Sequence, residues 1–283
     1  MVTPRDIRLR GATGEMAAQV FGTGDKPTLA LHGWLDNSSS FSRLAPLFPE
    51  LEWVALDLAG HGHSEHRPPG VMYHLIDYVA DLHQVAQSLG WQRFQIVSHS
   101  LGGAVAALFA SVFPERVSRL VLLESLGAFS AQPGDLPKDT RRYLDAFDAL
   151  SGKELPIYPS IERAAATRQA AGDLTLDSAR ILSERGLKQV AGGFTWRSDP
   201  RLRLPSPQRL TDAQIDGALG KISCPTLLVR ALSGLPLIKN SIPTRGAQLR
   251  DLTVAEVPGG HHVHLDSPEA VAPAMRDFFQ AKA

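Results

Sequence analysis

The junction at residues 94–110 limits what this chain can fold into more than any other stretch. The apolar run Phe94-Gln95-Ile96-Val97 ends abruptly in Ser98-His99-Ser100-Leu101-Gly102-Gly103, and the helix-forming run Ala104-Val105-Ala106-Ala107-Leu108-Phe109-Ala110 begins at once. That order reads as buried strand, sharp turn and buried helix. Ser100 falls at the tip. Residues two places either side of such a serine must be small, because two backbones nearly touch there. Ser98 and Gly102 meet the demand, with Ser98 standing where glycine is usual. A helix starting at Leu101 aims its first amides back at Ser100, where they can meet a developing negative charge.

A strand buried on both faces calls for parallel neighbours with helices on either side, and the rest of the chain supplies the alternation. Before the junction, residues 7–10 and 16–21 read as two weak strands of a hairpin. Pro27-Thr28-Leu29-Ala30-Leu31 and Trp53-Val54-Ala55-Leu56-Asp57 read as buried strands with a helix over 40–48 between them, and residues 78–90 as an amphipathic helix closed by Gly90. After the junction, Arg119-Leu120-Val121-Leu122-Leu123-Glu124 is a strand whose apolar run ends in a carboxylate. Residues 225–231 and 253–257 form two more, with a helix near 244–250 and a final amphipathic helix carrying Val271, Met275 and Phe278. The alternation predicts an α/β fold with a mostly parallel, doubly wound sheet. From 127 to 217 the texture changes: prolines at 133, 137, 156, 159, 200, 205 and 207 punctuate short helical patterns at 140–150 and 160–171, and nothing resembles a buried strand. The predicted division is a core of residues 1–126 and 218–283 carrying a helical cap of residues 127–217, with Trp196 hung over the site.

Composition narrows the classes of function. At 283 residues the chain is long enough to bury a sizeable core. Lys plus Arg equal Asp plus Glu at 29 each, so no field of one sign draws the protein to nucleic acid or to an anionic membrane. No run approaches the ~18 apolar residues of a membrane span, and Met1-Val2-Thr3-Pro4-Arg5-Asp6 lacks a secretory pattern. A cytoplasmic protein acting on a small molecule is expected. The single cysteine, Cys224, excludes an internal disulfide and, before Pro225 at the start of an apolar run, reads as a buried small residue.

One segment points elsewhere. His61, His63 and His66, with Glu65 between, mimic the His-x-His-x-Asp-His ligand run of metallo-β-lactamase-type hydrolases. The segment nevertheless follows a buried strand, carries Gly60 and Gly62, and has no well-spaced second ligand set beyond the histidines near 261, so these read as loop histidines and no metal is expected.

Taken together, the motifs resemble the α/β-hydrolase superfamily over nearly the whole chain. His32-Gly33-Trp34 is similar to its oxyanion loop, Asp57 through Ser64 to its Asp-x-x-Gly-His-Gly-x-Ser turn, Ser98 through Gly102 to its nucleophile elbow, and Gly260-His261 with Asp266 and Pro268 to its histidine loop. Within it the chain looks most like the serine hydrolase-like proteins of the kraken group, on Leu31-His32-Gly33-Trp34-Leu35-Asp36-Asn37, Arg67-Pro68-Pro69-Gly70 and the doubled histidine His261-His262. The resemblance implies Ser100 as nucleophile, His261 as base and then acid, the amides of Leu101 and Trp34 as the oxyanion hole, and no cofactor. His32, Gly33, Trp34, Asn37 and Trp196 are expected to line the substrate pocket, His99 to point away from it, and His262 and His264 to be bystanders. The superfamily commonly places its acid after the strand ending at Ala231, yet Leu232-Ser233-Gly234-Leu235-Pro236-Leu237-Ile238 contains none. Either the acid has moved or the activity is lost. Glu124, ending the strand after the elbow helix, is the expected replacement, with Asp266 a rival that reads better as a helix cap. The activity implied is hydrolysis of carboxylic esters or related acyl compounds. The alternative is a non-catalytic member of the fold that binds a ligand or a protein.

Overall fold

Apolar strands that must hide both faces assemble in the computed structural model into one eight-stranded sheet, in the order β1-β2-β4-β3-β5-β6-β9-β10. The structure describes residues 4–150 and 155–281. Residues 1–3, part of the N-terminal stretch read above, and 151–154, inside the 127–217 segment, lie outside the described residues. The strands are β1 (Arg5–Arg10), β2 (Glu15–Phe21), β3 (Lys26–Leu31), β4 (Leu51–Leu56), β5 (Phe94–His99), β6 (Val117–Leu123), β7 (Leu187–Val190), β8 (Gly193–Trp196), β9 (Thr226–Ala231) and β10 (Leu252–Val257). The helices are α1 (Leu75–Ser88), α2 (Leu101–Val112), α3 (Leu136–Leu150), α4 (Ile161–Ala171), α5 (Leu176–Gly186), α6 (Asp212–Leu219), α7 (Pro236–Arg245), α8 (Val263–Asp266) and α9 (Pro268–Gln280). The hairpin β1-β2 and the pair β2-β4 are antiparallel, and every other pairing in the large sheet is parallel.

Alternation along the strands divides the core in two. Leu29, Leu31, Ile96, Leu120, Leu122 and Leu228 face one side, where they meet Leu82 and Val85 of α1, Val105 and Phe109 of α2, and Ile215 and Leu219 of α6. Ala30, Val97, Val121, Leu227 and Val229 face the other, against Phe41, Phe48 and Trp53 and against Val271, Met275 and Phe278 of α9. The central strands thus bury apolar side chains on both faces of the sheet, which is why they read as near-continuous hydrophobic runs.

Three local expectations change. The segment 40–48 forms two 3₁₀ turns, Ser38–Phe41 and Ala45–Leu47, rather than one helix, because Ser38-Ser39-Ser40 favours turns and Pro46 sits in the second turn. The helix near 244–250 is the end of α7, which starts at Pro236, followed by a 3₁₀ turn at Gly246–Gln248. Residues 127–217 contain α3 to α5 and most of α6, which runs past the expected boundary to Leu219, but also the hairpin β7-β8, turned at Gly192 with φ of 85°. Within that segment α4 and α5 form a separate apolar cluster of Ala165, Leu174, Ala179 and Leu182, which Leu265 of α8 joins from the core. α6, by contrast, packs Ile215 and Leu219 into the main core.

A buried ion pair fastens α5 to the sheet. Asp57, at the carboxyl end of β4, accepts bonds from Ser38 N (2.7 Å), His63 N (2.8 Å) and Arg185 Nε (2.9 Å), and Arg185 also reaches Asp6 at 2.7 Å. Gly62 is required here, since a Cβ would lie 2.4 Å from the Asp57 carboxylate. Burial alone would raise the Asp57 carboxyl, but Arg185 and the two amides hold it below its ordinary value. Arg185→Met leaves this carboxylate buried without its cation and is expected to remove about 3–5 kcal/mol of stability at neutral pH, measured by urea unfolding. A loss below about 1 kcal/mol would contradict that reading. Because the native carboxyl is held low, the pair's contribution is complete above pH ~4 and is lost as pH falls through the native value.

Candidate active site

The turn between β5 and α2 holds Ser100 at φ 49° and ψ −115°, a conformation L-residues rarely adopt. Close approach explains its neighbours. A Cβ on Gly102 would lie 2.3 Å from the Leu31 carbonyl oxygen, and one on Gly103 would lie 2.4 Å from Ser125 Cβ. Ser98 is tolerated where glycine is usual because its hydroxyl donates to the Val121 carbonyl at 2.9 Å. The turn itself is tied to β6 through Ser100 N donating to Leu123 O at 3.1 Å.

From Ser100 a continuous chain of hydrogen bonds runs inward. Ser100 Oγ donates to His261 Nε2 at 2.9 Å, and His261 Nδ1 donates to Glu124 Oε2 at 3.3 Å. The side chain of Glu124 is buried, and its backbone also takes positive φ, 50°. Its carboxylate is seated by the loop that lacks an acid of its own: Ala231 N donates to Oε1 at 2.7 Å and Leu235 N to Oε2 at 3.0 Å. Gly234 leaves the room, since a Cβ there would lie 2.1 Å from Oε2. The rival Asp266 turns away, its Oδ1 accepting from Thr175 Oγ1 at 2.7 Å and Thr175 N at 3.1 Å.

Beneath His261 lies a layer of imidazoles. His99, expected to point away, instead donates from Nε2 to the His261 carbonyl at 2.9 Å, with its ring 4.7 Å from that of His261. The β5 register makes this so, because the residue before the elbow serine faces the histidine loop. Burial and the neighbouring imidazoles keep His99 well below the usual histidine value, so it is neutral. His264 is likewise buried and pushed down to about 3, with Nε2 against Ser40 Oγ at 2.7 Å. His262 differs. Both of its ring nitrogens face acceptors, Nδ1 the Asp173 carbonyl (2.9 Å) and Nε2 the Asp36 carboxylate (3.2 Å), so both carry protons. Although burial opposes charge on this ring, Asp36 raises it above the ordinary value. Burial opposes charge on Asp36 too, but His262 and Arg168 of α4 hold its carboxyl well down, with Arg168 Nη2 bonded to Oδ1. His262 and His264 are thus buried structural groups, and neither touches Ser100.

Two groups of side chains bear on metal ligation. The loop histidines diverge: His61 Nδ1 lies against Ala59 O at 3.1 Å, His66 Nε2 against Arg197 O at 2.7 Å, and His63 engages Asp57 through its backbone. Among the described residues, Asp36, His99 and His262 do converge, with ligand atoms within 4.8 Å of one another. They do not suit a cation, since Arg168 occupies Asp36 Oδ1 and His262 presents protons rather than lone pairs. Cys224 is buried with its thiol pushed up to about 11 by burial, and is no nucleophile.

The expected pocket residues separate. Among the described residues, the amides of Leu101 and Trp34 donate to no protein acceptor. The Trp34 side chain is 51% exposed, and Nε1 donates to Leu202 O at 2.8 Å. Leu35 beside it has φ of 60°. The approach of loop and elbow is close at Gly33, where a Cβ would lie 2.8 Å from His99 Nδ1. His32 does not face substrate: it is fully buried, with Nδ1 2.7 Å from Gly33 O and Nε2 accepting from Leu58 N at 3.0 Å. Asn37 is also buried, donating to Leu182 O at 2.8 Å and accepting from Ser39 N at 3.1 Å. Both brace the loop. Trp196 packs edge-on to Tyr158, 6.1 Å between ring centroids, and beside Gly186. Sequence reasoning missed Asp36, Arg168 and Asp173 as partners of the histidine loop. The charged pair that closes there is separated by more than a hundred residues, and no local pattern announces it.

Comparison with known proteins gives the family. Residues 26–268 match the family model for the alpha/beta hydrolase fold. The chain is 34% identical to "Serine hydrolase-like protein" from Danio rerio over 98% of this chain and 89% of that one. The crystal structure of a hypothetical protein from Pseudomonas aeruginosa PAO1 is 42% identical with a TM-score of 0.92, covering 98% of this chain and 99% of that one. The thioesterase domain from the curacin biosynthetic pathway is 26% identical with a TM-score of 0.84, covering 98% of this chain and all (100%) of that one. The chain belongs to the α/β-hydrolase fold family, among serine hydrolase-like proteins, and is a hydrolase. No helix among the described residues is long and apolar enough to cross a membrane.

The fit of Gly234 against Glu124 gives a test. Gly234→Ala is expected to displace the carboxylate and lower hydrolytic turnover about tenfold to a hundredfold with the far-UV circular dichroism unchanged, since misplacement by 1 Å has costs of that order. Unaltered turnover would mean that the seat of Glu124 is unimportant.

Proposed function

We propose that the protein is a serine hydrolase that cleaves carboxylic esters or related acyl compounds through an acyl-enzyme on Ser100. The observation that carries this reading is the unbroken chain Ser100–His261–Glu124, at 2.9 and 3.3 Å. In the reaction, Ser100 Oγ attacks the substrate carbonyl carbon as His261 Nε2 takes its proton. The negative charge that forms on the carbonyl oxygen is received by the amides of Leu101 and Trp34, at the N-terminus of α2 and in the β3 loop. His261 then protonates the leaving group, and the same base activates the water that releases the acid. Glu124 keeps the Nδ1 proton in place and stabilises the imidazolium as it forms. Residues 127–217 act as the cap over this centre, and the exposed indole of Trp34 forms part of the substrate's wall.

The strain favours an enzyme over a binding protein on the same fold. Ser100 and Glu124 each hold positive φ, a conformation that costs on the order of 1–3 kcal/mol per residue and that a passive scaffold has no reason to keep at both. The thioesterase name of one structural relative is consistent with acyl chemistry.

Two measurements test the assignment. A fluorophosphonate probe is expected to label the native protein and not Ser100→Ala; equal labelling of the variant would place the nucleophile elsewhere. With p-nitrophenyl esters of graded chain length, His261→Ala is expected to reduce turnover by several powers of ten, and Glu124→Gln by on the order of 10³ to 10⁴. Addition of a chelator is expected to leave turnover unchanged. Loss of activity restored by zinc would instead favour metal-assisted hydrolysis.

A further inference from the structure

We propose that Asp173, on the α4–α5 connection, is a positioning residue for His261, so that the α4–α5 pair holds the base in its working place. The proposal rests on His261 acting as the base, and it adds a residue that no sequence motif assigns.

Two short segments lie side by side in register. The Asp173 carboxylate accepts the His261 backbone N–H at 2.8 Å, and the Asp173 carbonyl accepts Nδ1–H of His262 at 2.9 Å. Two residues further on, Thr175 N and Oγ1 both donate to Asp266. The histidine doublet is thus clasped by a single residue of the insertion, the first member through its backbone and the second through its ring. Asp173 itself is exposed, so this bond must hold in the presence of water. Gly260 makes the approach available, because a Cβ there would lie 2.5 Å from Asp173 Oδ2.

The clasp has a rigid foundation on either side. On the insertion side, α4 is pinned to the core by Arg168 on Asp36, and Leu174 beside Asp173 is buried with Leu182 and Leu265. On the core side, His99 holds the carbonyl of His261 at 2.9 Å. The peptide groups flanking His261 Cα are therefore fixed by two separate partners, the amide by Asp173 and the carbonyl by His99. With Cα and the adjoining backbone fixed, the imidazole reaches Ser100 and Glu124 by its side-chain torsions alone. Without the carboxylate, the amide at the mouth of the site is released to water, and rotation of that peptide swings the ring out of line with Ser100. A positioning role differs from simple capping of a loop, because it predicts damage to the chemical step rather than to the fold.

The test compares Asp173→Ala, Asp173→Asn, Gly260→Ala and the double variant Asp173→Ala/Gly260→Ala. Asp173→Ala is expected to lower kcat roughly tenfold to a hundredfold with KM within about twofold, and Asp173→Asn, which keeps an acceptor oxygen, to restore most of it. Gly260→Ala, which drives the carboxylate off, is expected to reproduce the loss alone and to add nothing in the Asp173→Ala background. Crystal structures supply a readout that needs no substrate: in Asp173→Ala, Ser100 Oγ and His261 Nε2 are expected to separate beyond hydrogen-bonding distance with the rest of the core unmoved. The proposal is overturned if the pair stays at 2.9 Å in that variant, or if Gly260→Ala costs as much with alanine at 173 as with aspartate. Failure of the ester assay in the unmodified protein would reject the ester-cleaving reading under which kcat is compared, and the crystallographic comparison would then decide the positioning role by itself.

Discussion

The Glu124 carboxylate is the point on which the arrangement turns. It follows β6 directly in a backbone conformation with φ of 50°, takes amides from Ala231 at the end of β9 and Leu235 beyond it, and accepts Nδ1–H of His261. One side chain therefore joins three neighbouring parts of the carboxyl edge of the sheet: the end of β6, the loop after β9 and the histidine loop after β10. The two backbone N–H groups fix both carboxylate oxygens, at 2.7 and 3.0 Å. Seated in this way, Oε2 is held facing His261 Nδ1. The β9 loop, which has no acid of its own, has become the acid's cradle.

Around that axis the structure sorts its charges by depth. His99 and His264 are buried and neutral, whereas His262 is held as a cation between Asp36 and the Asp173 carbonyl. Asp36 in turn spans His262 and Arg168, and Asp57 spans Arg185 and two backbone amides. The two arginines lie on α4 and α5, and both carboxylates lie at the ends of core strands or in the loops that follow them. α4 and α5 are thereby attached to the sheet and its loops by ion pairs whose partners are removed from water, and breaking one member exposes an unpaired charge in the interior. This attachment also explains why residues 127–217 do not behave uniformly: α4 and α5 bind through these charges, and α6 through the apolar contacts of Ile215 and Leu219.

Much of this was legible in the sequence, because the constraints were local. Continuous apolar runs marked β3 to β6 and β9, and the small residues around Ser100 marked a turn where backbones meet. The end of the 119–124 run in Glu124 marked a carboxylate at the right edge of the sheet. Other features depend on distant contacts and were missed or misread. His99 was expected to face away, but the facing loop brings His261 over it. His32 and Asn37 were expected at the substrate and are instead consumed by backbone partners within and beyond their loop. The hairpin β7-β8 is two strands of four residues each, too short for alternation to register. The charge pairs Asp36–Arg168 and Asp57–Arg185 span more than a hundred residues, and neither composition nor periodicity records which aspartate meets which arginine.

The central claim is that Ser100 carries the acyl group during turnover. The most direct measurement is rapid acid quench of the protein during reaction with an activated ester, followed by mass analysis of its proteolytic peptides. The account predicts an adduct of the acyl mass on the peptide containing Ser100, formed in the first turnover and lost as the ester is exhausted. Steady hydrolysis with no adduct on that peptide, or with an adduct on another, would contradict it.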